Sequence, residues 1–289
     1  MDSIFEEITQ AINEFLISLI EGSLSTMFND INEKVGTIAA EVGKTPQQWN
    51  ASVFSIIQTL SENVVLPIAG LIITFVLCYE LITMITEKNN LHDVDTFMFF
   101  KYIFKACVAV FIATHTFDII MAVFDLGQYV VRQSAGVIGA NTSIDISAAL
   151  TDLRTTLEAM GTGELVLLML ETALVSLCMK ILSVCITVVI FGRMIEIYLV
   201  TSVAPIPLAT MENREWGHMG QNYLRALFAL GFQAFLIVVC VAIYAVLIRN
   251  IAIDTDVIKA MWTCIGYTVL LIFTMFKTSS MSKSIFNAH

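Results

Sequence analysis

From residue 164 to about residue 200 the chain runs almost unbroken through apolar side chains. No other feature limits the possible folds as much. A hydrocarbon core of about 30 Å takes roughly 20 helical residues to cross, so this stretch is longer than one crossing needs. Further apolar runs at about 64–85, 102–124, 224–247 and 257–276 read as additional spans. Composition agrees. Of the 289 residues, 57% are hydrophobic and 14% charged, where a soluble domain carries about 25% charged residues. Mean hydropathy is +0.81. The expected fold class is an all-α integral membrane protein with about five transmembrane helices. It has an amphipathic helical N-terminal region and one overlong central helix.

Residues 1–52 read as an extracytoplasmic amphipathic region that does not span. Ile4, Phe5, Ile8, Ile12, Phe15, Leu16 and Leu19 recur at helical spacing, and Leu24, Met27, Phe28, Ile31, Val35, Ile38 and Val42 repeat the pattern. The opposite face is acidic, with Glu6, Glu7, Glu14, Glu21, Asp30, Glu33 and Glu41. A helix lying on anionic lipid carries Lys and Arg there, so packing against protein is favoured. The acidic opening MDSIFEEI argues against a cleavable signal peptide, whose start is basic. Thr45-Pro46-Gln47-Gln48 has the form of a capping box with proline in the first turn. Residues 53–124 hold the first two spans, with Pro67 placed early in the first, where a missing N–H costs little. Residues 125–163 read as an outward connection. In it Ile146, Leu150, Leu153, Leu157 and Met160 mark a short amphipathic helix ended by Gly161. Residues 164–289 form a three-span region with a proline elbow and a basic tail.

Orientation follows from Lys and Arg near the span ends. One side gathers Lys88, Lys101, Lys105, Arg193, Arg214, Arg225, Lys277 and Lys283. The other has Lys34, Lys44, Arg132, Arg154, Arg249 and Lys259. This predicts the N-terminus outside and the C-terminus inside.

Catalytic signatures are absent: no HExxH, no GxSxG, no phosphate loop and no paired cysteines. The expectation is a protein that is not an enzyme and calls for no cofactor or metal. The 6 cysteines all sit in apolar runs and read as small core residues. Asp254-Thr255-Asp256 reads as the N-cap of the last span. A net charge of -10 argues against direct grip on nucleic acid, which takes a basic patch. Glu80 and Asp118 read as span-end residues reaching the interface. Glu171 and Lys180 are harder to place, because ionisable groups within a span usually face a bundle interior or a watery cavity. They stand about two and a half turns apart and do not pair along one helix. Either each meets a partner on another helix or subunit, or they line a conduit. Arg193 and Glu196, at i and i+3, can pair on one face. Pro205 and Pro207 then break the helix and predict a stiff cytoplasmic elbow that is either a plain interfacial exit or a contact for a partner. This broken segment has no counterpart in the first half, and no internal repeat is visible. That disfavours a small-solute transporter built from inverted repeats.

The order of parts resembles the TrbL-like polytopic membrane subunits of conjugative type IV secretion systems, the family that includes the sixth VirB protein. It is most similar to the form carried by mobile elements of Gram-positive bacteria. The stretches that carry the resemblance are VVLPIAGLIITFVLCYELITMITEKNN (64–90), FFKYIFKACVAVFIATHTFDIIMAVFDLGQ (99–128) and GRMIEIYLVTSVAPIPLATMENREWGHMGQNYLRALFALGFQAF (192–235). The resemblance implies a structural, channel-forming subunit of the cytoplasmic membrane that helps pass relaxase-bound single-stranded DNA. Its implied partners are further copies of itself in a ring, for which relatives suggest a pentamer, together with other secretion membrane subunits, their ATPases, membrane lipid and the transient DNA–relaxase cargo. The alternatives are a stand-alone channel or transporter for small solutes, an anchoring or immunity-type membrane protein, and, weakest, an intramembrane enzyme.

Overall fold

The computed structural model describes residues 2–86, 96–138, 154–211, 213, 215–251 and 257–288. All regular structure among these is helical. The expected turn EKNNLHDVD, residues Ile146 to Leu153 of the short amphipathic helix, and Asp254 to Asp256 lie outside the described residues. Residues 154–158 are helical.

Helix α1 (Asp2–Val42) is one continuous element. Its two apolar rows have different fates. The second, from Leu24 through Val42, is buried, as are Leu16, Ile17 and Ile20 ahead of it. The first row is exposed at Ile4, Phe5, Ile8, Ile12, Phe15 and Leu19. The row that continues unbroken at helical spacing is the one that packs. The exposed row instead continues into Gly22 and Thr26, which offer little apolar surface.

Next come α2 (Pro46–Trp49), α3 (Ala51–Leu60) and α4 (Leu66–Thr86). The capping box forms as expected: Thr45 Oγ1 accepts from the Gln48 N–H and Gln48 Oε1 accepts from the Thr45 N–H, both at 3.3 Å. The expected start of the first span near residue 64 needs correction. Helix runs from Ala51 to Thr86 through a π-helical turn at Ser61–Val65. Pro67 therefore sits well inside a long helix. The wider turn just before it accommodates the ring and the lost donor.

The second span also differs from expectation. It is two helices, α5 (Thr96–Thr114) and α6 (Thr116–Ile138), bent by 67° across His115. The Thr114 hydroxyl donates back to the Val110 and Phe111 carbonyls, and Thr116 to those of Ile112 and Ala113. Such back-bonding competes with the helix ladder and bends it. The first half thus has a broken segment after all. Part of the expected outward connection, 125–138, is helix.

The overlong central helix is α7 (Thr162–Ser202). A short α8 (Pro205–Ala209), α9 (Gly217–Ile251) and α10 (Val257–Ile285) follow. Four helices are long and apolar enough to cross a membrane, or up to five if the bent pair counts as one span. The chain is a multi-pass, all-α membrane protein.

The chain divides into two compact units. The first comprises Met1–Val42, Val131–Phe191 and Leu236–Thr278; the second comprises Gly43–Val130, Gly192–Phe235 and Ser279–His289.

Candidate functional site

The second unit gathers the residues of the predicted elbow, and its geometry starts from backbone that breaks at prolines. α7 ends at Ser202, and α8 begins with Pro205 at its first turn. Ala204, Pro205, Leu208 and Ala209 are buried. Ala209 packs with Ala69 and Ile73 of α4 and with Ala109 and Ala113 of α5. The elbow is therefore not a projecting feature, as the sequence suggested. It is seated between two helices, because its residues are small and apolar and the facing positions are alanines.

Glycines let the chain turn back tightly. A Cβ on Gly217 would lie 2.7 Å from the Met211 carbonyl oxygen, and one on Gly220 would lie 2.7 Å from that of Pro207. Asn213 Oδ1 accepts from the N–H groups of Glu215 and Trp216 at 2.8 and 2.9 Å. These bonds hold the turn at Glu215 and Trp216 just ahead of α9. Trp216 stacks on Phe75 and Tyr79, with ring centroids 5.7 and 5.8 Å away. The Tyr79 hydroxyl donates to the Glu215 carboxylate. Tyr223 donates to the Val200 carbonyl at 2.9 Å, which ties the start of α9 to the end of α7.

Arg193 is 5% exposed. It donates through one terminal nitrogen to the Leu230 carbonyl at 3.3 Å, its other terminal nitrogen lies 3.9 Å from Met194 Sδ, and its Nε has no partner. The expected Arg193–Glu196 pair is replaced. Glu196 instead meets Lys283 at 3.2 Å, on the last turn of α10. The sequence treated that stretch as a basic tail, yet Ser282 is buried and donates to the Ala229 carbonyl. Close by in sequence, Gly127 of α6 meets Gly231 of α9 so tightly that a Cβ on Gly127 would lie 2.8 Å from the Gly231 oxygen. On the same unit Tyr198 donates to the Pro46 carbonyl at 2.7 Å, and its ring lies 5.9 Å from that of Trp49.

Sequence reasoning missed a second ion pair in this unit. Glu80 on α4 accepts from Lys105 on α5 at 2.5 Å, both side chains being largely shielded. Glu80 is thus held by a neighbouring helix as well as lying near a span end. Opposite charges in successive apolar runs were the signal for it. No sequence signal marked Gly127 against Gly231.

Glu171 and Lys180 belong to the first unit. Glu171 is half-buried and Lys180 exposed. Among the described residues neither has an ion-pair partner. Elsewhere in that unit, Arg154 donates to Glu158 at 3.1 Å and lies 3.7 Å from Glu21. The hydrogen bond to Glu158, helped by the Glu21 charge, raises a guanidinium pKa that is already high. Among the described residues no three His, Cys, Asp or Glu side chains gather as metal ligands.

No curated protein and no solved structure matches the chain. The family described as TrbL/VirB6 plasmid conjugal transfer like protein matches residues 31–205. The match runs from the buried half of α1 to the first proline of the elbow, more than half of the 289 residues. The chain therefore belongs to the TrbL/VirB6 plasmid conjugal transfer-like family and is a multi-pass membrane component of conjugal transfer by type IV secretion.

Proposed function

We propose that the chain is a structural, channel-forming subunit of the cytoplasmic membrane that helps pass relaxase-bound single-stranded DNA. It assembles as a ring-like homo-oligomer, with a pentamer as the ring size to test, and carries no catalysis of its own. Partner ATPases supply the energy, and other secretion membrane subunits complete the path. The N-terminus lies outside and the C-terminus inside. The observation that carries this reading is the family match over residues 31–205 on a chain with four to five apolar spanning helices. An acidic chain, with net charge -10, suits a path that does not hold DNA tightly.

The test is a mild-detergent pull-down of the tagged protein from native membranes, read by mass spectrometry. Secretion ATPase and other membrane subunits should co-purify, and DNA crosslinking during transfer then asks whether cargo touches this chain. A clean homo-oligomer without such partners would refute the reading.

One observation favours the second reading, a stand-alone channel or transporter. The break at His115 gives the first half a discontinuous helix, to set beside the break at Pro205 in the second. Paired discontinuous helices are what solute transporters use at their sites. Solute flux in proteoliposomes of the purified chain, with no secretion partner present, would support it.

A further inference from the structure

Within the first unit, α1, α7, α9 and α10 border a half-open cavity of about 340 Å³, with Asp30, Glu33, Lys180 and Val184 on its exposed rim. Its lining is chiefly apolar, with Met27, Ile31 and Ile38 from α1, Val184 from α7 and Leu271 from α10. The Tyr244 and Thr268 hydroxyls at its edge are bonded to each other at 2.8 Å. Four charged side chains also reach it: Asp30, Glu33 and Lys34 from α1, and Lys180 from α7. Among the described residues, none of the four makes an ion pair or a side-chain hydrogen bond.

An apolar cavity with a few charged groups suits an amphiphile, and the amphiphile surrounding a multi-pass protein is phospholipid. The charges narrow the choice of head group. A purely anionic head would engage the two ammonium groups but face two carboxylates. A head bearing both a phosphate and a primary ammonium has a charge-assisted partner for all four. A choline head carries the right charges but has no N–H to donate. α7 has 41 residues and is about 60 Å long, twice the hydrocarbon thickness. One half of it is enough to cross, and with the stretch after Lys180 as the crossing the ammonium sits at a headgroup layer, which its flexible stem can reach.

We propose that this cavity holds a phospholipid with a primary-amine head group. One acyl chain lies along Met27, Ile31 and Leu271. The phosphate accepts from Lys34 and Lys180, and the ammonium donates to Asp30 and Glu33.

The experiment adds phosphatidylethanolamine, phosphatidylcholine or phosphatidylglycerol, with matched acyl chains, to the delipidated full-length chain and reads retained lipid by native mass spectrometry. Phosphatidylethanolamine should be retained at least about tenfold over the other two, the difference expected from one charge-assisted hydrogen bond. The Lys34→Gln, Lys180→Gln double variant should lose it about tenfold. Asp30→Asn with Glu33→Gln should abolish the preference over phosphatidylglycerol. Val184→Trp, which fills the cavity, should remove retention while leaving the melting curve in place. Equal retention of the three lipids by the wild-type chain would overturn the proposal, as would retention that survives the lysine replacements. If the variants fail to fold, the wild-type ranking alone decides. No DNA transfer enters the readout, so failure here leaves the proposed function standing.

Discussion

Gly127 makes the sharpest test of the packing in the second unit. An alanine there would place its Cβ 2.8 Å from the Gly231 carbonyl oxygen and 3.1 Å from its carbon. Both are backbone atoms of α9 and cannot rotate away as a side chain would. Overpacking of this kind costs about 1–3 kcal/mol. Replacing glycine by alanine within a helix returns up to about 1 kcal/mol. The unyielding backbone contact puts the cost in the upper part of that range, so Gly127→Ala should destabilise by about 1–2 kcal/mol net, and Gly127→Val by more, because branching adds bulk at the contact. Two other glycines act as internal controls. A Cβ on Gly231 meets nothing nearer than the Val123 oxygen at 3.5 Å, which is ordinary contact, and one on Gly36 meets nothing within 4 Å. Gly231→Ala should be close to neutral, and Gly36→Ala should stabilise by about 0.5–1 kcal/mol. The assay is thermal unfolding of the detergent-solubilised chain, followed by tryptophan fluorescence, because Cys78 and Cys107 are exposed and would take up a thiol-reactive dye before unfolding. A shift of roughly 2–4 °C per kcal/mol is expected for a chain of this class. The order of melting temperatures should be Gly36→Ala, wild type, Gly127→Ala. A Gly127→Ala protein that melts with or above wild type would refute the close crossing of α6 and α9.

Arg193→Met should melt at or above wild type, because replacing a buried charge that lacks a carboxylate partner with an apolar side chain of similar length is often neutral or stabilising; Arg193→Ala should melt lower, since it leaves a cavity. Charge reversal at Glu80 should lower the melting temperature, and adding Lys105→Glu should restore part of the loss, measured as a double-mutant cycle on the 2.5 Å pair. The Glu196–Lys283 pair is exposed enough, at 37% and 44%, that its coupling energy in such a cycle should be under about 1 kcal/mol. Charge reversal at Glu171 should reduce conjugative transfer if that side chain lines the conduit, and unchanged transfer at equal protein level would count against a lining role.

The sequence was legible where one physical rule dominated. Apolar length located the four long spanning helices, though not the Ala51 start of the first, because a helix satisfies its own backbone in hydrocarbon. The Thr45 box was readable because capping chemistry is local. Legibility failed where two rules competed. Periodicity in α1 marked two rows, and what separated them was continuity, since the row ending at Val42 runs unbroken and is buried while the other meets Gly22 and Thr26. The run through residues 102–124 is long enough to read as one span, although Thr114, His115, Thr116 and Asp118 interrupt its apolar pattern at the bend. The bend shows in Thr-His-Thr, whose hydroxyls turn back on the helix. Arg193 and Glu196 satisfied the i, i+3 rule, yet each found a different partner because distant segments approach.

The elbow joins these lessons to function. Two prolines and a polar turn in a membrane protein suggested a feature displayed to a partner. The structure instead puts Ala204, Pro205 and Leu208 inside and fastens the turn at both ends, by Tyr223 on Val200 and by Trp216 on Phe75 and Tyr79. A turn held this way does not bend at its own backbone. Movement of α4 or α5 would carry the elbow with it, and with it the start of α9. The bend at His115, on the end of α5, is the adjacent point where the helix ladder is weakest. Any rearrangement of this unit that widens or narrows a path should therefore hinge at residues 114–116 rather than at the prolines. A helix-favouring replacement there, Thr114→Ala with Thr116→Ala, removes the back-bonding hydroxyls and should straighten the bend. Transfer should fall while the chain still reaches the membrane, whereas Pro205→Ala should act chiefly on stability. The opposite pattern, with transfer sensitive to Pro205 and indifferent to the threonines, would place the moving joint at the elbow.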